Sequence, residues 1–69
     1  MDLDELLRRQ AGVLSRAQAL ACGISARTVA TRVSEGRWRR VLPGVYLAAG
    51  HRFGDEARVR AAWLWVRPA

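Results

Sequence analysis

The stretch ALACGISARTV, residues 19–29, decides the fold. Ala19, Gly23 four residues later, then Ile24, Ser25 and Val29 have the spacing of two helices that meet at a sharp turn. Ala19 is small because the following helix crosses over it. Gly23 can take a left-handed backbone conformation that a side chain disfavours. Ile24 fills the wedge between the helices, Ser25 is an N-cap residue type, and Val29 anchors the second helix to the core. This is a helix-turn-helix pattern with one departure. Arg32 stands where an apolar residue often completes it, and Val33 substitutes.

Working outward, Ser15 caps the first helix of the pair, RAQALAC, whose buried side is expected to be Ala17, Leu20 and Ala21. The second helix should run from Ala26 to about Glu35. Val29 and Val33 mark its inner face, with Ala26 and Ala30 beside them, and Gly36 stops it. Upstream, Asp2 or Asp4 caps a helix over Leu3–Gln10, where Leu3, Leu6 and Leu7 share one face and Gly12 ends it. Val13-Leu14 is a short extended link and a candidate minor strand.

Downstream comes GRWRRVLPGVY, residues 36–46. Two β-rich segments flank Pro43-Gly44, which reads as a hairpin with a type II turn. That turn suits hairpin twist less well than the primed types, so short or splayed strands are expected. If Leu42 pairs with Val45, strict alternation puts Trp38, Arg40, Leu42, Val45 and Leu47 on one face and Arg39, Val41 and Tyr46 on the other. Arg40 is awkward among apolar neighbours: either it reaches round the edge or a bulge re-aims it. After the loop AAGHRFG, Asp55 caps a last helix, EARVRAAWLWV, closed by Pro68. Trp63, Leu64, Trp65 and Val66 are consecutive and cannot all lie on one helical face. The chain is therefore expected to be the front piece of a longer protein or to dimerise through this end. The expected architecture is one domain over residues 1–69, mainly α with a small β-hairpin. It is a winged helix-turn-helix with three helices, a two-stranded wing and a C-terminal helix.

All 12 basic residues are arginine, and the net charge is +6. Between Leu6 and Phe53, nine arginines face a single acid, Glu35, while the other acids sit at the two ends. A basic middle on a small domain points to a polyanion, most often nucleic acid. On a helical wheel at about 100° per residue, Val29 and Val33 point inward, Arg27 and Thr31 point away, and Ser34, Thr28 and Arg32 flank them. Such a face can enter the major groove of double-stranded DNA. Arg27, near the helix start, is placed to bind guanine, and Thr28 and Thr31 to meet phosphate or a thymine methyl. Ser25 and the helix N-terminus form a phosphate site. Trp38 packs the hairpin on the helices, and Arg37, Arg39 and Arg40 project towards the backbone or the adjacent minor groove. The DNA-binding set is thus Ser25, Arg27, Thr28, Thr31, Arg32, Arg37, Arg39 and Arg40.

Other readings narrow quickly. Arg8, Arg9, Arg58 and Arg60 read as solvated helix faces, and Cys22 as a small buried residue. Tyr46 and the three tryptophans read as core, with Trp65 the one suited to an interface. One cysteine permits no internal disulfide, which fits a cytoplasmic location. The acidic N-terminus is no signal peptide, and AAWLWV is too short to span a membrane. His51 has no second ligand at metal spacing. No nucleophile, base and orienting group can be assembled, so neither catalysis, nor a metal, nor a cofactor is expected.

The run GVLSRAQALACGISARTVATRVSEGRWRRVLPGVYLAAGH followed by DEARVRAAWLW resembles the N-terminal winged helix-turn-helix of the AbiEi-type antitoxins of type IV toxin–antitoxin systems. Gly36, Trp38, Arg39, Val41, Pro43, Gly44, Val45 and Tyr46 carry most of the likeness, with Arg37 breaking the simple spacing. The resemblance implies a transcriptional autoregulator, a repressor that binds its operator through this module. It also implies a larger C-terminal domain that opposes a nucleotidyltransferase toxin; a related architecture carries an endonuclease-like domain instead. Neither is present in these 69 residues, so only DNA binding transfers. A homodimer on a repeated site is the expected arrangement, and a toxin partner only through that further domain. The competing reading is a protein-interaction module that docks through Trp63–Val66. RNA binding is weaker, because few aromatics are free to stack on bases.

Overall fold

In a computed structural model, which describes residues 2–66, the chain runs α1 (Leu3–Arg9), β1 (Val13–Ser15), α2 (Arg16–Ala21), α3 (Ala26–Ser34), β2 (Trp38–Leu42), β3 (Val45–Ala48) and α4 (Asp55–Val66). The strands form one antiparallel sheet in the order β1-β3-β2. This is a mixed α/β domain, and its element order is compatible with a winged helix. The expected hairpin is there, but the sheet is larger than a two-stranded wing. Val13 pairs with Leu47 and Leu14 with Tyr46, so β1 makes a third strand. Val13 and Leu14 are both fully buried, on opposite sheet faces. Adjacent apolar residues are what a strand covered on both faces requires.

The helix ends repeat one device. Ser15 Oγ accepts from Gln18 N while Gln18 Oε1 accepts from Ser15 N, a reciprocal capping box. Ser25 Oγ likewise accepts from Thr28 N at the start of α3. At the C-termini, Gly12 N donates to Leu7 O, Ile24 N to Ala19 O and Arg37 N to Arg32 O. Each bond closes a Schellman-type end that needs a left-handed residue one position earlier. Gly23 (φ 90°) and Gly36 (φ 79°) supply it for α2 and α3, whereas at α1 it falls on Ala11 (φ 55°). Asp2 occupies the N-cap of α1 but makes no side-chain capping bond. Asp55 is already the first helical residue of α4 rather than its cap. Pro68, expected to close α4, lies outside the described residues.

Two small cores lie on opposite faces of the sheet. Leu6, Leu7, Leu14, Ala19, Val29, Trp38 and Ala48 form one, under α1, α2 and α3. Val13, Val45, Leu47, Ala57 and Ala61 form the other, under α4. The expected buried side of α2 is wrong: Ala17, Leu20 and Ala21 are exposed, and Ala19 is buried instead. The cause is polar. Buried Gln10 and half-buried Gln18 join their side-chain amides head to tail at 2.9 Å in both directions, and Gln10 Nε2 also donates to Val13 O. Holding Gln18 inward turns Ala19 to the core and Leu20 out. On α3, Val29 is buried and Val33 half-buried as expected, but Ala26 and Ala30 are exposed. Among the described residues, none covers them from that side. Cys22 is half-buried and free.

Candidate nucleic-acid interface

The candidate surface is built on α3 and the edge strand β2, which contact each other. Along α3, Arg27, Thr31 and Ser34 are exposed with Ala26 and Ala30 between them, so the outer face is low and polar. Thr28 is half-buried; its Oγ1 lies 3.0 Å from Ser25 Oγ, which ties both hydroxyls to the helix start. Ser34 Oγ donates to Thr31 O.

Arg32 behaves differently. It is half-buried, with its guanidinium 5.1 Å from the Trp38 ring centroid. Trp38 is buried and tilts against Tyr46 with centroids 6.1 Å apart. The residue that departs from the apolar pattern therefore joins α3 to β2 through a cation–π contact. Arg37 is exposed and pairs its Nε with Glu35 at 3.4 Å. The one acid of the basic middle thus offsets the first arginine of the strand approach.

Arg39 and Arg40 do not share a face. Leu42 pairs with Val45 as expected, but a bulge lies between Arg40 and Leu42. The register upstream becomes Arg40↔Tyr46, Arg39↔Leu47 and Trp38↔Ala48. One extra residue inverts the alternation for everything before it. Trp38 and Arg40 therefore lie with Tyr46 and Ala48 on the α3 side, while Arg39 lies with Leu47 and Val45 on the α4 side. Strict alternation, which would have set Trp38 and Arg40 beside Val45 and Leu47, fails: each face of the hairpin carries apolar residues and one arginine. On the α4 side, Arg39 sits over Phe53 at 5.7 Å, and Arg58 sits over the same ring at 5.7 Å. Neither Phe53 nor Arg58 stood out in the sequence, because only the inverted register brings Arg39 to them.

The tryptophan expectation also changes. Trp38 is core, but Trp63 is 49% exposed and Trp65 55%. The twelve-residue α4 buries Ala57 and Ala61, with Leu64 half-buried beyond them, and one helix can bury only one such stripe. Val59, Trp63 and Val66, spaced i, i+4 and i+7, fall on the outer side. Among the described residues no three His, Cys, Asp or Glu side chains converge, and no helix is long and apolar enough to cross a membrane.

A sheet covered by three helices on one face and one on the other, with arginines along its free edge, defines a small basic α/β domain. Residues 1–49 match the family described as transcriptional regulator, AbiEi antitoxin, and the chain belongs to that family. No curated protein and no solved structure matches it.

Proposed function

We propose that this domain is the operator-reading module of a transcriptional repressor, a winged helix-turn-helix in which α3 is the recognition helix and β2–β3 the wing. It works without catalysis or cofactor in the cytoplasm, as a dimer on a repeated duplex site. Any toxin contact belongs to a further domain. The exposure of Arg27 and Thr31, directly opposite buried Val29, carries this reading. That face is small enough to enter a major groove about 12 Å wide. Arg27 has the reach and planar fork to bind guanine O6 and N7 together, with Thr31 one turn further along. The N-terminus of α3, with Ser25 and Thr28, offers amides and hydroxyls to a phosphate. Arg40 and Arg37 approach the backbone on the α3 side and Arg39 on the α4 side, while Arg32 steadies the helix against the wing.

Selection from a random duplex pool, followed by titration of the winning sequence, tests this. Arg27→Ala should cost roughly 1–3 kcal/mol of discrimination at one base pair and little non-specific affinity. Arg39→Ala should weaken all sequences alike and flatten the salt dependence. If both variants bind as wild type does, the reading is removed. The exposed outer side of α4 favours one rival, docking of a protein through Val59, Trp63 and Val66. In that case the same titration would find no sequence preference, and the chain's associations would resist salt.

A further inference from the structure

Arg39 and Arg58 come from different elements, β2 and α4, yet both hold their guanidiniums over Phe53, each 5.7 Å from the ring centroid. The two cationic carbons are therefore at most twice that distance apart. Both side chains are exposed, and Phe53 is half-buried among the residues packed under α4. Among the described residues the ion pairs join Arg9 to Glu5 and Arg37 to Glu35; Asp55 and Glu56, in the first turn of α4, bridge neither Arg39 nor Arg58. Two like charges drawn together on one ring repel each other, and an anion shared between them reverses the sign. The ring also restrains both planar forks, so less freedom is lost when they bind an oxyanion.

The position of the cluster indicates which anion. β2 is an outer strand of the sheet, with Arg40 on its α3 side and Arg39 on its α4 side. A polymer lying along this edge would meet cations on both flanks, which suits a groove walled by two phosphate strands and wastes one flank on a single small anion. We propose that Arg39, Phe53 and Arg58 form a second backbone site that takes the phosphodiesters of duplex DNA on the α4 side of the wing. It rests on the reading of the domain as a duplex binder, and it adds α4 to the contact surface. The site is indifferent to sequence, because phosphates carry none.

Fluorescence anisotropy on a duplex of random sequence separates this site from base reading. Each phosphate contact contributes a slope of about 0.9 in log affinity against log salt. Between about 50 and about 200 mM salt, wild type should therefore lose about threefold more affinity than Arg58→Ala does. Arg8→Ala, which removes an equal charge from α1 across the sheet, should keep the wild-type slope. The site is refuted if Arg58→Ala keeps the wild-type slope, as it would were the cluster reserved for an acidic protein. It is equally refuted if Arg8→Ala flattens the slope as much, because net charge alone then explains the effect. Failure of wild type to distinguish its selected site from the random duplex would sink operator reading but not this backbone contact. Failure to bind either duplex would sink both.

Discussion

Ala11 does without glycine what Gly23 and Gly36 do at the ends of α2 and α3. A left-handed residue with a Cβ costs roughly 1–2 kcal/mol, partly offset because glycine has more freedom to lose on folding. Ala11→Gly should therefore stabilise the domain by about 0.5 kcal/mol in a urea titration. Its neighbour is the opposite case. A Cβ on Gly12 would collide with the His51 side chain, and its φ of 85° is strained for any other residue. Gly12→Ala should cost roughly 2 kcal/mol or more, and a destabilisation below about 0.5 would show that His51 moves freely aside. The sequence marked Gly12 as the helix stop, a role that depends on local geometry. It could not mark the His51 contact, which joins residues 39 positions apart. Ser15, Ser25 and Gly23 were legible because their work is done within a few residues of where they stand. Arg32 was legible as an anomaly but not as a solution, since Trp38 is its partner across an element boundary.

At the scale of elements, helix positions followed from caps and periodicity, while faces and register did not. The six-residue α2 has too few turns for periodicity to fix its orientation, and the Gln10–Gln18 amide pair sets it instead. Gln18 holds four bonds at once: two with the Gln10 side-chain amide, one accepted at its Oε1 from Ser15 N, and one donated by its own backbone N–H to Ser15 Oγ. Gln18→Ala keeps the backbone bond but leaves Oε1 of buried Gln10 without its donor and opens the capping box. A loss of about 1–3 kcal/mol is expected, and Gln18→Glu should not restore it, because a carboxylate has no N–H to give Gln10. Retained stability in Gln18→Ala would mean that water replaces the pair. The hairpin shows a different limit. The misfit of Arg40 in a regular alternation was the one local sign of a bulge, and it did not say where the extra residue would fall. That single residue decides that Arg39 meets Phe53 and Arg58, so the α4 side of the candidate surface was invisible to any reading of β2 alone.

The charge of the whole molecule was legible from composition, and its consequence is a conflict between folding and binding. Eleven of the twelve arginines and all six acids lie among the described residues, on a body of 28 × 24 × 22 Å. Most guanidiniums therefore lie within one or two screening lengths of another, the Debye length being about 10 Å at 0.1 M salt. Two such charges about 10 Å apart repel by roughly 0.4 kcal/mol in water before screening. Several pairs, less what survives in the unfolded chain, leave a penalty on the order of 1 kcal/mol. A domain this small gains about 4–8 °C in Tm per kcal/mol. Raising sodium chloride from about 20 to about 500 mM should thus raise Tm by about 5 °C. Over the same range affinity for duplex DNA should fall steeply, because the phosphates repeat the work that salt does. Chloride is the right anion, since sulfate would also strengthen apolar burial and blur the cause. Duplex DNA at low salt should itself raise Tm, and more so than added salt does, because it binds only the folded arrangement of arginines. A Tm that stays flat or falls with sodium chloride would mean that the arginines are neutralised within the fold. The surplus positive charge would then not be free to drive the binding proposed for it.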